Sequence, residues 1–303
     1  MIRYKEFVQQ VSAQIRDHLP AEFQNWTVKT EVLYKVNEKL DCLMLIPPGQ
    51  YQFTAVPRFY LQDCYQMVCR GTTVEQVLCI LADRIRTAPS PHEVEKSGFD
   101  ILQFRDDVVL QVINQQRNTE FLKGVPHRSF LDLAAIYRII RFDREGRWAG
   151  AIVNHSLMEK MECTEEELYQ KARAHTPHAL PWKMADLMEL FSVQENGSHG
   201  GGPNGDTVQN RMVMLTNDSG QFGASALLYP EILDRACEKT GDRIYILPGS
   251  MHELYLVPEE KDRLAFYKHL VKSANEDVVD IPDWLSDHVY RYDTLQKKVS
   301  IAL

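Results

Sequence analysis

The chain has 303 residues, 44% of them hydrophobic and 25% charged, which is enough apolar material for a large core and argues against global disorder. Its 34 basic and 42 acidic residues leave a net charge of −8, without the basic surplus of a dedicated nucleic-acid binder. No apolar run reaches membrane-spanning length and the amphipathic start, MIRYKEFVQQ, has no signal-peptide core, so a cytoplasmic protein without membrane association is expected.

In chain order, Phe7, Val8, Val11, Ile15 and Leu19 share a helical face and predict a helix from Tyr4 to Leu19. TVKTEVLYKVN and LDCLMLI alternate as strands around a turn at Asn37 and Glu38, and QFTAVPRFYL reads as a third extended piece. Thr72, with Glu75 three residues on, predicts the capped start of a helix over VEQVLCILADRIRTA. Residues 88–98 have the composition of a linker, which divides the chain into an N-terminal α+β domain (1–87) and a C-terminal α+β region (99–303).

Beyond the linker, VVLQVIN is a strand and QRNTEFLKG a short helix. SFLDLAAIYRIIRF and WAGAIVN are strands around the turn DREGR, with helices over SLMEKM and TEEELYQKARAH. RMVMLTN, ALLYPEILDRACEKTG, DRIYILPG, HELYLVP and KDRLAFYKHLVKSAN then read strand, helix, strand, strand, helix. The order β-α-β-β-α therefore occurs twice. The fold class expected is α+β, with mixed, largely antiparallel sheets and helices packed on one face.

ENGSHGGGPNGDTVQN, before the strand RMVMLTN, holds five glycines, and Gly200, Gly202 and Gly205 spell G-x-G-x-x-G. A dinucleotide or P-loop needs a strand before the glycines and a helix after them; here the order is reversed and the loop has no lysine. The expectation is a connector that holds no phosphate, and no cofactor.

The six cysteines form no C-x-x-C pair, and no H-E-x-x-H occurs among the ten histidines. No metal site is expected, and cysteines in settings such as LDCLMLI and QVLCILA are read as reduced, buried thiols. Pro177 argues against a shared helical face for His175 and His178, and His155 reads as a turn or capping residue. Arg128 and Asp132 fall on one strand face by alternation, His127 on the other, and a structural Arg128–Asp132 ion pair is expected. Ser250 and His252 sit two apart beside the turn P-G-S, where turn chemistry alone accounts for the serine. If the chain is a hydrolase, His127, Arg128, Ser250 and His252 are the candidate catalytic residues, gathered from separate strand ends. With no complete catalytic motif and 13 Tyr, 12 Phe and 4 Trp available for contacts, the favoured reading is a non-enzymatic binding or adaptor protein, its protein partner unidentified.

NTEFLKGVPHRSFLDLA, GASALLYPEIL, YILPGSMHELYLVP and LSDHVYRYD together resemble an uncharacterised bacterial family, domain of unknown function five-six-eight-eight, found mostly in Gram-positive anaerobes. ASALLYPEIL with GDRIYILP is also similar to a second uncharacterised family, one-four-four-four. The resemblance implies a relationship over most of the chain and supplies no catalytic residues.

Overall fold

A computed structural model describes residues 2–48, 57–88, 100–142, 148–186 and 212–303. The glycine-rich stretch, the DREGR turn and residues 89–98 of the expected linker lie outside the described residues. The chain separates into two compact units, Met1–Ile101 and Leu102–Leu303.

In the first unit, helix α1 (Tyr4–Gln14) tightens into a 3-10 turn over Ile15–His18, so the expected single helix ends early. Strands β1 (Thr27–Lys35) and β2 (Glu38–Ile46) pair antiparallel with Lys35 opposite Glu38, so the turn is Val36–Asn37. Asn37 takes the positive φ (59°) that such a tight turn demands. β3 (Arg58–Tyr60) adds to β2 and runs into helix α2 (Leu61–Cys69), which the sequence reading missed. Helix α3 (Val74–Thr87) begins at Val74 as expected, but its cap is Thr73 rather than Thr72: the Thr73 hydroxyl accepts from Gln76 N–H while the Gln76 side chain accepts from Thr73 N–H. Phe7, Val11 and Ile15 pack with Leu43, Leu45, Leu61, Leu78 and Leu81 in one core, leaving Val32 and Tyr34 of β1 exposed.

The second unit holds two sheets. In the first, β4 (Val108–Asn114) and β5 (His127–Phe130) flank β6 (Leu133–Phe142), and β7 (Trp148–Ile152) continues the β5 edge against the far half of β6. The expected strand SFLDLAAIYRIIRF is thus broken: Leu131, at φ 58°, and Asp132 form a tight turn between β5 and β6. The second sheet orders β13-β12-β10-β11-β9-β8: β8 (Trp182–Asp186), β9 (Val213–Asn217), β10 (Arg243–Pro248), β11 (Leu254–Pro258), β12 (Tyr290–Asp293) and β13 (Lys298–Ile301). Strands β8, β12 and β13 were not anticipated. Every strand pair among the described residues is antiparallel, without the expected parallel admixture.

Because SFLDLAAIYRIIRF splits into β5 and β6 ahead of β7, the first stretch has three strands after its helix where the expected β-α-β-β-α order has two; the two stretches nonetheless share a pairing pattern. β4, helix α4 (Thr119–Leu122), β5 and β6 place the third strand between the first two; so do β9, helix α7 (Pro230–Thr240), β10 and β11. In both, an asparagine ends the first strand and folds the loop after it: Asn114 Oδ1 accepts from Arg117 N–H, and Asn217 Oδ1 from Ser219 N–H. Helices α5 (His155–Lys160) and α6 (Glu165–Ala179) follow the first set, and α8 (Leu264–Asp277) follows the second.

Helix α6 runs through Pro177, against the expected break. Proline cannot donate to the carbonyl four residues back, at Arg173. The buried Tyr229 hydroxyl donates to that carbonyl instead, at 2.9 Å. The same helix covers the outer edge of β4: Leu110 N–H donates to Thr176 Oγ1 (2.9 Å) and His175 Nδ1 to Val108 C=O (3.2 Å). Backbone groups at a sheet edge need such partners.

Candidate functional site

Arg128 and His127 are neighbours on β5 with opposite surroundings. Arg128 Nε and Nη2 bind Glu165 Oε1 and Oε2 at 2.8 and 2.9 Å, Nη2 also reaches Glu166, and the guanidinium lies 3.9 Å from the Tyr169 ring centroid. Tyr137 Oη donates to Glu165 from below. The Arg128 hydrogen bonds hold the Glu165 carboxyl below its ordinary range, and burial drives the Tyr137 phenol well above its own. The expected Arg128–Asp132 ion pair does not form, because the turn at Leu131–Asp132 ends the strand alternation that would align them. Asp132 instead accepts from Ser286 Oγ (2.7 Å) and Tyr290 Oη (2.8 Å), tying the β5–β6 turn to the start of β12.

His127 donates Nδ1–H to Val125 C=O at 3.0 Å, which leaves the Nε2 lone pair available in the neutral ring. It lines an open cavity of about 220 Å³ with Gln115, Thr119, Leu122 and Lys123.

Ser250 and His252 lie in the connection between β10 and β11, not on a strand. Ser250 Oγ accepts from His252 N–H at 3.0 Å, the turn role expected of it. His252 Nδ1 accepts from Phe222 N–H (3.2 Å), so the neutral ring carries its proton on Nε2, which faces Asp283 Oδ1 at 3.2 Å. Both ring nitrogens thus hold structure. Among the described residues no hydrogen bond joins His127 or Arg128 to Ser250 or His252.

What His252 supports is a group that sequence reasoning passed over. Phe222 is 3% exposed, with a left-handed backbone (φ 56°), and begins the 3-10 segment Gly223–Leu228. Gly223 fits there because any Cβ would lie 2.3 Å from the His252 carbonyl oxygen. The Phe222 ring lies edge-on to Trp148 (5.5 Å between centroids), and the Arg138 guanidinium sits 5.0 Å from Phe222 and 5.7 Å from Trp148. Arg138 is half-buried on β6, inside the apolar run AAIYRII. Its Nε donates to Gln111 Oε1 at 2.9 Å, and Gln111 is itself buried and directs its Nε2 at Met251 Sδ.

Among the described residues no carboxylate stands within ion-pair distance of Arg138. Burial pulls its pKa down to about 10, still far enough above neutrality to keep the charge. Desolvating an ion costs several kcal/mol. A neutral hydrogen-bond acceptor and two ring faces return roughly 1–3 and 0.5–2 kcal/mol. The terminal nitrogens therefore remain a strong, directional donor pair for an anion. The sequence carried one usable signal: an arginine in a buried strand with no acid opposite it, for Arg138 pairs with Val109 on β4 and Ile152 on β7.

These features define an α+β protein of antiparallel sheets whose second unit presents, beside an exposed tryptophan, an arginine with no carboxylate partner among the described residues. The chain belongs to a family of unknown function (DUF5688), whose model matches residues 4–294. No curated protein and no solved structure matches it. Among the described residues, no helix is long and apolar enough to cross a membrane.

Proposed function

We propose that the chain is a non-enzymatic binding protein that docks an acidic peptide segment of a partner protein on β7. The observation that carries this reading is the Arg138 guanidinium, which lies beside both Phe222 and Trp148 and has no carboxylate partner among the described residues. Trp148, 39% exposed, and the exposed Ala149 and Gly150 continue the surface along β7, which pairs only with β6 among the described residues. An edge strand supplies backbone groups to an extended peptide, an exposed tryptophan an anchor, and Arg138 a carboxylate partner. Six free cysteines suit a reducing, cytoplasmic setting.

The binding reading is favoured over the hydrolase alternative by the structural contacts that Arg128, Ser250 and His252 make. A displayed random-peptide selection against the full chain tests the proposal. Recovered sequences should carry Asp or Glu at one fixed position, and binding should fall at least tenfold, about 1.4 kcal/mol, in both Arg138→Gln and Trp148→Ala. Selection that ignores acidic residues, or binding unchanged in both variants, contradicts it. So does ester or phosphoester turnover abolished by His127→Ala.

A further inference from the structure

The first unit brings together three groups that the sequence keeps apart. His18 closes the 3-10 turn after α1, a turn anchored by the buried Ile15. Glu75 and Cys79 stand four apart on α3, on its exposed face, while Val77, Leu78, Leu81 and Ile85 fill the core. Cys79 is therefore not the buried thiol that the run QVLCILA leads one to expect; helical periodicity turns it outward. A His18 nitrogen, Cys79 Sγ and a Glu75 carboxylate oxygen all lie within 4.8 Å of one another. His18 Nδ1 is 3.8 Å from Sγ and Nε2 is 3.7 Å from Glu75 Oε1.

We propose that His18, Glu75 and Cys79 form a zinc-binding site with one coordination position left to water. Imidazole, thiolate and carboxylate are the three ligand types zinc accepts, at bonds of about 2.0–2.3 Å. Two such ligands on a tetrahedral ion stand about 3.5 Å apart, close to the Nδ1–Sγ separation. The i, i+4 placement sets Glu75 and Cys79 on one helical face; an ion takes one ring nitrogen, so with the ion between Nδ1 and Sγ the exposed Glu75 side chain turns from Nε2 toward it. Binding replaces the thiol proton with the metal, so one proton leaves to solvent as the metal–sulfur bond forms. The spacing rules for paired cysteines miss such a site because its ligands come from two segments, with a single cysteine among them. It lies wholly in the first unit and is independent of the Arg138 reading.

The competing arrangement is a metal-free chain in which the Cys79 thiol donates to His18 Nδ1 and His18 Nε2 merely faces Glu75. Cobalt titration of the reduced full chain separates the two. The site predicts one cobalt per chain with thiolate-to-cobalt absorption, competed away by zinc. Cys79→Ser should abolish that absorption, and His18→Gln should weaken zinc binding at least about tenfold. Cys69→Ser, which removes another exposed thiol, should change neither. Absence of the absorption in the wild type, its survival in Cys79→Ser, or zinc affinity indifferent to His18→Gln overturns the proposal.

Discussion

Glu165 gathers the guanidinium of Arg128 and the phenol of Tyr137, and its carboxyl is held low chiefly by the Arg128 hydrogen bonds. A carboxyl depressed in the folded state stabilises the protein above its unfolded pKa, about 4.3, and loses that contribution as pH falls through the folded value. Glu165→Gln should therefore cost about 1–2 kcal/mol near neutrality, a figure kept modest because the pair is about one-third exposed. Urea unfolding over a pH series should also show a flatter decline for the variant below about pH 4. Parallel acid limbs for the two proteins would show that the network contributes no such term. This network was only half legible beforehand. The acids of TEEEL and Arg128 are plain in the sequence, but their meeting depends on the start of α6 coming within side-chain reach of β5, which no local pattern specifies. Leu131 hid the turn that removes Asp132 from Arg128, because a leucine at positive φ gives no turn signal.

At the scale of elements, α6 shows how a helix survives a proline when a distant side chain takes over the lost donor. Tyr229 serves the Arg173 carbonyl, and its own phenol is pushed up to about 12 by burial. Tyr229→Phe should cost about 1–2 kcal/mol by orphaning that carbonyl. Pro177→Ala, which restores a backbone N–H, should recover much of the loss in the double variant, although each change alone alters packing little. Additive effects in the double-mutant cycle would mean that the two residues are not coupled through Arg173. Elements with strong periodicity or alternation, such as α3, α8, β10 and β11, were legible from pattern alone. Helix α2 was missed because it follows β3 without an intervening breaker, and β12 and β13 because each is a four-residue strand among polar neighbours.

For the whole molecule, the chain divides into Met1–Ile101 and Leu102–Leu303, while all of the expected linker 88–98 except Ala88 lies outside the described residues. The first unit has one sheet and the second two, and each unit has its own buried apolar side chains. Fragments 1–88 and 100–303 should each unfold cooperatively when expressed alone; a fragment without a cooperative transition would show that it depends on the other. The expected order β-α-β-β-α misses one strand in its first stretch, where the turn at Leu131–Asp132 splits SFLDLAAIYRIIRF into β5 and β6. The pairing pattern of the two stretches, with the third strand central both times, is a property that only the structure supplies. Arg138 belongs to this scale as well, since its setting joins β6, β7 and the segment after β9.

The account rests on that arginine meeting an acid from outside the chain. Two peptides drawn from the selection, identical except for Asp or Asn at the position facing Arg138, provide the direct test by titration with observation of the Arg138 Nε–H and Trp148 indole N–H resonances. The aspartyl peptide should shift both resonances and bind at least tenfold more tightly than its asparaginyl twin, a difference that Arg138→Gln erases. Equal affinity for the two peptides, or shifts that leave Arg138 and Trp148 untouched, would contradict the account.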